Sequence, residues 1–233
     1  MRTADRPSPN FDARPGAGIV DMLILHYTGM KTAGEALDRL CDPAAKVGAH
    51  YLIEEDGAVW RLVDEAQRAW HAGVSAWREC RDVNGASIGI ELVNPGHEFG
   101  YRPFPERQME ALEELARGIL TRHPIPPRAV LGHSDVAPQR KQDPGELFDW
   151  ARMGKAGIGL WPDFSKVSPA PRTMEELQAA LRAIGYDCPL SGTLDPATQA
   201  VIAAFQRHFR PACCDGVADP ETRHRIAILA RAV

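Results

Sequence analysis

Residues 19–25 read Ile-Val-Asp-Met-Leu-Ile-Leu, apolar at every position except Asp21. A strand with one wet face alternates apolar and polar residues, so an unbroken run marks a strand buried on both faces. The run ends at His26, and Tyr27-Thr28-Gly29 turns the chain out. Other strands fit beside it: Ser87–Val93, closed by Asn94-Pro95-Gly96, and the segment ending Ala129-Val130-Leu131. Tyr51–Glu55 and Ala58–Val63 flank Asp56-Gly57, the turn dipeptide of a β-hairpin. Thr32 with Glu35 predicts a capped helix through about Cys41. Pro105–Arg122 places Met109, Leu112, Ala116, Ile119 and Leu120 on one helical stripe. Strands and helices mix without a strict βαβ rhythm, so the expected fold is α/β, a mixed central β-sheet flanked by helices. Residues 1–18 read as an irregular arm.

Ser165–Arg172 holds Pro169 and Pro171 without periodicity, which marks a linker between a catalytic domain (1–164) and a small domain (173–233). Beyond it the pattern is wholly helical. Thr173 and Glu176 form a capping box, and Leu177, Leu181 and Ile184 precede a Gly185 stop. An internal echo follows: Gly192-Thr-Leu-Asp195-Pro196-Ala-Thr198, then Gly216-Val-Ala-Asp219-Pro220-Glu-Thr222. Each copy carries an N-cap Asp and Pro at the first helical position. Three short helices result, with no cluster of ligands or acid/base pair, which favours a binding role for this part.

The net charge of -4 gives no reason to expect a nucleic acid or an anionic membrane as partner. The five cysteines are odd in number and form no Cys-x-x-Cys pair, so neither a disulfide framework nor a thiolate zinc site is indicated. Unpaired thiols fit a reducing compartment. The polar stretch from Met1 to Gly18 has no apolar core of signal-peptide length and no run spans a bilayer, so a cytoplasmic protein is expected, with the periplasm as the alternative.

The chemistry concentrates in Gly132-His-Ser-Asp-Val-Ala-Pro-Gln-Arg-Lys-Gln-Asp-Pro-Gly145, expected as one irregular loop. His133 and Asp143 are good zinc ligands, and Lys141 would share a face with Asp143 in an extended segment. His26, at the end of a neighbouring strand, can complete a His-His-Asp set that leaves zinc's fourth position to water. Each is also a common polar residue at a strand end. Glu91 interrupts an apolar strand; beside bound water it would be a general base, and otherwise it is a residue of an exposed strand face. Trp70-His71-Ala-Gly-Val-Ser-Ala-Trp77 offers rings and polar groups suited to a sugar or peptide, or else anchors a core loop. His50 reads as structural. His97, His123, His208 and His224 carry no assigned role, and Cys213-Cys214 reads as inert.

Taken in order, Leu23-Ile-Leu-His26-Tyr27-Thr28, Ala49-His50-Tyr51-Leu-Ile, Trp70-His71-Ala-Gly73, Ser87-Ile-Gly-Ile-Glu91 and Gly132-His133-Ser-Asp-Val-Ala-Pro138…Lys141…Asp143-Pro-Gly145 resemble the zinc-dependent N-acetylmuramoyl-L-alanine amidases of type 2, relatives of peptidoglycan recognition proteins. The resemblance covers about residues 19–163. It implies a Zn2+ cofactor on His26, His133 and Asp143, Glu91 as base and proton shuttle, and Lys141 as stabiliser of the tetrahedral intermediate. Tyr27, His71 and Ser134 would lie along the substrate groove. Ala49 stands where some relatives carry a catalytic Tyr, which puts more weight on Glu91. The tail resembles the three-helix peptidoglycan-binding domain of wall hydrolases. The implied reaction cuts the amide between N-acetylmuramic acid, or its anhydro form, and L-alanine in peptidoglycan or muropeptides, in the service of cell-wall recycling. A peptidoglycan sensor without catalysis and a zinc peptidase of the stem peptide are the rivals.

Overall fold

A computed structural model describes residues 2–16 and 18–232. In chain order the elements are β1 (Thr3–Asp5), β2 (Phe11–Ala13), β3 (Met22–Tyr27), α1 (Ala33–Cys41), β4 (Tyr51–Ile53), β5 (Val59–Arg61), β6 (Gln67–Ala69), α2 (Val83–Ala86) and β7 (Ser87–Leu92). There follow α3 (Gly96–Phe99), α4 (Glu106–Arg122), β8 (Val130–Gly132), α5 (His133–Val136), α6 (Trp150–Lys155), α7 (Met174–Ile184), α8 (Pro196–Phe209) and α9 (Pro220–Ala232).

The central sheet has the order β1-β5-β4-β7-β3-β8. It is mixed, as expected: β4 and β5 form the antiparallel hairpin, while β3 runs parallel to both β7 and β8. Leu23, Ile24 and Leu25 of β3 and Ile88 and Ile90 of β7 are fully enclosed. At about 1.5–3 kcal/mol for each such side chain, these two strands form the strongest apolar anchor of the fold. The register sets His26 opposite Glu91 and Leu25 opposite Gly132. The carboxyl ends of three parallel strands therefore lie side by side, the usual place for a ligand in an open α/β sheet.

The arm is not irregular. Thr3–Asp5 adds a parallel edge strand beside β5, and Phe11–Ala13 pairs with β6. Both strands have three exposed residues and so leave no apolar rhythm to read. Side chains anchor them: the Asn10 amide donates to the carbonyls of Leu40, Asp42 and Val47, and the Arg14 guanidinium to those of Glu65, Asn84, Gly85 and Ser87. The expected strand over 19–25 starts later, at Met22, and carries His26 within it.

In the tail, the echoed motif has a shared construction. The buried Gln178 amide donates to the Thr193 carbonyl and Thr198 Oγ1, and its Oε1 accepts the Gly192 N–H at 2.8 Å. Gln206 repeats this with the Val217 carbonyl, Thr222 Oγ1 and the Gly216 N–H. Both glycines have positive φ, +71° and +73°, where an L side chain is strained. The apolar core continues from the sheet into these helices, with Tyr186 edge-on to Trp77 at 5.0 Å. Among the described residues no helix is long and apolar enough to cross a membrane.

Glu65 ties α4 to the sheet, accepting from Arg122, His123 and the Tyr51 hydroxyl. Burial alone would raise its carboxyl, but these partners outweigh it and hold the pKa down to about 2, against an ordinary 4.5. A depressed carboxylate stabilises the fold above its unfolded pKa and loses that contribution as pH falls through the folded one. Glu65→Gln is expected to lower Tm at pH 7, with the gap to the parent closing as pH falls from about 4.5 towards 2. Thermal unfolding across pH checks this; a gap independent of pH would refute it.

Candidate metal and active site

Three side chains from distant parts of the chain meet at the carboxyl end of β3. His26 Nδ1 lies 2.9 Å from His133 Nδ1 and 3.0 Å from Asp143 Oδ2, and His133 Nδ1 is 3.0 Å from the same oxygen. All three residues are buried. Zinc with bonds of about 2.0 Å separates tetrahedral ligands by roughly 3.3 Å, so a triangle of this size fits one ion with little adjustment. No other group of three His, Cys, Asp or Glu side chains among the described residues has such geometry.

The hydrogen-bond network assigns which nitrogens carry protons. His133 Nε2 lies 3.0 Å from the Ala72 carbonyl, to which it must donate, so Nδ1 presents a lone pair. For His26 the assignment comes through a chain. The Ser87 hydroxyl donates to the Val83 carbonyl at 2.5 Å. Ser87 Oγ therefore accepts from His71 Nε2 at 3.1 Å. His71 Nδ1 is then an acceptor for His26 Nε2 at 3.1 Å, and His26 Nδ1 is left bare. Such outer partners fix the tautomer and ring orientation of metal-binding histidines. Burial, with His133 close by, pushes His26 down to about 4 and keeps it neutral, the form that binds metal.

Glu91 projects beside His26 from β7. Its Oε2 is buried without a hydrogen-bond partner. Burial, and then the Asp143 charge, push its pKa well above 4.5, with Lys141 pulling the other way. A carboxyl group raised in this way is suited to take and return a proton. His26, Tyr27, His71, Glu91, Lys141 and Asp143 line one open cavity of about 440 Å³. Ser134 does not line it. The segment expected as one irregular loop begins with the helical turn α5, which buries Ser134, and the Ser134 N–H donates to the Asp143 carbonyl at 2.9 Å. His71 touches the cavity, yet its ring nitrogens are both engaged in the chain behind His26. The ring lies over Gly89, where an added Cβ would come within 2.5 Å of it.

Several contributing residues escaped the sequence reading. Asn84 Oδ1 accepts the N–H groups of His71 and Ala72, and the Arg140 guanidinium donates to the carbonyls of Ala72 and Val74. Ser87 ends the chain described above. Their partners are mostly backbone groups, so no spacing in sequence marks them. His50 is structural as expected: Nδ1 accepts the Gly89 N–H, and burial lowers its pKa to about 4.

Residues 16–146 match the family described as N-acetylmuramoyl-L-alanine amidase, more than half of the chain. This chain belongs to that family. Residues 172–226 match a second family, described as a peptidoglycan binding domain. The amidase is 39% identical to N-acetylmuramoyl-L-alanine amidase AmiD of Escherichia coli K12, over 88% of this chain and 80% of that one. It is 34% identical to 1,6-anhydro-N-acetylmuramyl-L-alanine amidase AmpD of the same organism, over 63% of this chain and 87% of AmpD. The fold superposes on the AmiD complex with its substrate anhydro-N-acetylmuramic acid-L-Ala-D-gamma-Glu-L-Lys with a TM-score of 0.80, covering 99% of this amidase and 93% of AmiD at 36% identity. AMPDH3 of Pseudomonas aeruginosa, in complex with anhydromuramic pentapeptide, gives 0.82 over 97% and 95% at 34% identity.

The chain behind His26 yields a test. His71→Leu removes the acceptor for His26 Nε2–H and is expected to weaken zinc binding by about 10–100-fold, with Ser87→Ala weaker in the same direction. Competition against a chelator measures both. Parent-like affinity in the two variants would show that His26 is oriented without them.

Proposed function

We propose that this amidase hydrolyses the amide between N-acetylmuramic acid, in particular its anhydro form, and the L-alanine of the stem peptide, with Zn2+ held by His26, His133 and Asp143. The observation that carries the reading is the buried triangle of two lone-pair nitrogens and a carboxylate oxygen, with the unpartnered Glu91 oxygen beside it. The ligands bound to AmiD and AMPDH3 support the substrate class. Zinc held by these three residues would supply Lewis acidity towards the scissile carbonyl and would acidify a water to a pKa of about 7. Glu91 takes the proton from the attacking water and returns it to the leaving amine of L-alanine, so the two products carry the elements of water between them. The Lys141 ammonium stabilises the negative charge that develops on the carbonyl oxygen. Tyr27, with its hydroxyl 2.9 Å from His97 Nδ1, forms part of the groove wall. His71 acts from behind His26 rather than as a primary substrate contact.

Muropeptide fragments are the proposed partners, and cell-wall recycling in the cytoplasm the proposed setting. The five free thiols support a reducing compartment. Action on polymer in the periplasm is the second reading, favoured by the match of residues 172–226 to a peptidoglycan-binding family. Turnover of anhydro-muropeptides far above that of intact sacculi supports the first; the reverse supports the second.

Glu91→Gln is expected to retain one zinc per chain and to lose about 10²–10⁴ in kcat. Lys141→Ala is expected to lose about 10²–10³. Mass spectrometry of the peptide released from an anhydro-muropeptide, alongside metal analysis, reads both. Near-parental turnover by Glu91→Gln would remove Glu91 from the mechanism, and cleavage within the stem peptide would reassign the enzyme as a peptidase.

A further inference from the structure

Asp135 follows His133 by two residues, within the single helical turn that carries that histidine. It is 1% exposed, and three donors converge on its carboxylate. The Gly132 N–H, at the end of β8, bonds Oδ2 at 2.8 Å. The other two come from the C-terminal helical part: the Tyr186 hydroxyl bonds Oδ1 at 2.7 Å, and His208 Nδ1 bonds Oδ2 at 2.7 Å. Both donors are buried and held rigidly. Tyr186 packs edge-on against Trp77 and Phe205. His208 is stacked between Trp150, at 3.7 Å, and Phe209, at 3.9 Å.

We propose that Tyr186 and His208 are positioning residues for the metal site, acting through Asp135 to fix the turn that presents His133. The C-terminal helices would thereby complete the active site, beyond any role in binding the wall. A four-residue turn makes too few hydrogen bonds of its own to hold a ligand within the tolerance of a metal bond. Here Asp135 closes the turn on its Gly132 side while the distant helices grip the same carboxylate from outside. His133 is further held through its own Nε2 bond to the Ala72 carbonyl. Its Nδ1 is thus aimed by contacts on both sides of the ring's attachment. A module that served only to tether substrate would have no need to place two buried donors on a carboxylate beside a metal ligand.

The inference rests on the zinc reading above, and the test separates the two. Zinc and Co2+ affinity of the whole 233-residue chain, and the d–d absorption of its Co2+ form, are measured for Tyr186→Phe, His208→Gln and a control, Leu177→Ala, which is fully buried near the start of α7 and makes no hydrogen bond to Asp135. Apo-protein Tm is measured in parallel. Expected is a loss of about 10–100-fold in metal affinity and an altered Co2+ spectrum in the two Asp135-contact variants. The control should lower Tm by as much or more while keeping parental affinity and spectrum. Tyr186→Phe removes one oxygen and keeps the ring packing, so it carries the test even should His208→Gln fail to fold. Parental affinity and spectrum in Tyr186→Phe, or affinity that merely follows Tm across all variants, overturns the proposal. A parent that binds no zinc overturns the zinc reading instead.

Discussion

Two imidazole nitrogens and a carboxylate oxygen within 3.0 Å of one another, on side chains almost wholly buried at the floor of a cavity, are expensive to assemble. Each has lost hydration, and their lone pairs face one another. A divalent cation at their centre would offset that cost, and much of the surrounding structure keeps the three atoms in place. Parallel pairing of β3 with β7 and β8 sets His26, Glu91 and the start of the His133 turn at one edge. The apolar interiors of these strands provide the rigidity, since a one-residue slip would send His26 to the other face.

Around this centre, polar side chains and backbone carbonyls do the orienting. The run from His26 through His71 and Ser87 to the Val83 carbonyl gives one histidine its tautomer, and the Ala72 carbonyl gives the other. Loop 70–77 is therefore a support for the metal site as well as a wall of the cavity. Asn84 and Arg140 hold that loop by its backbone. The same economy recurs in the tail, where Gln178 and Gln206 each organise one copy of the repeated loop.

Much of this was legible in the residues. Continuous apolar runs announced β3 and β7, Asp56-Gly57 the hairpin, and Thr173 with Glu176 the start of α7, because burial and capping leave local patterns. His26, His133 and Asp143 could be grouped because few side-chain types bind zinc, and Glu91 stood out as a charge in an apolar strand. The edge strands β1 and β2 were not legible, since Asn10 and Arg14 secure them through carbonyls far away in sequence. Ser134 was placed on the groove by the family resemblance, and the α5 turn that buries it is too short to show a period that would have said otherwise. His208 received no role for a related reason: its partner, Asp135, is 73 residues away, and nothing local signals that contact.

The position of bound zinc tests the His26, His133 and Asp143 triangle most directly. Anomalous diffraction at the zinc edge from crystals of the zinc-loaded protein would locate it without reference to activity. The prediction is a single site about 2.0–2.2 Å from His26 Nδ1, His133 Nδ1 and a carboxylate oxygen of Asp143, with Glu91 nearby and not bonded to it. Zinc bound through the Nε2 atom of either histidine, or held by Glu91 in place of Asp143, would contradict it.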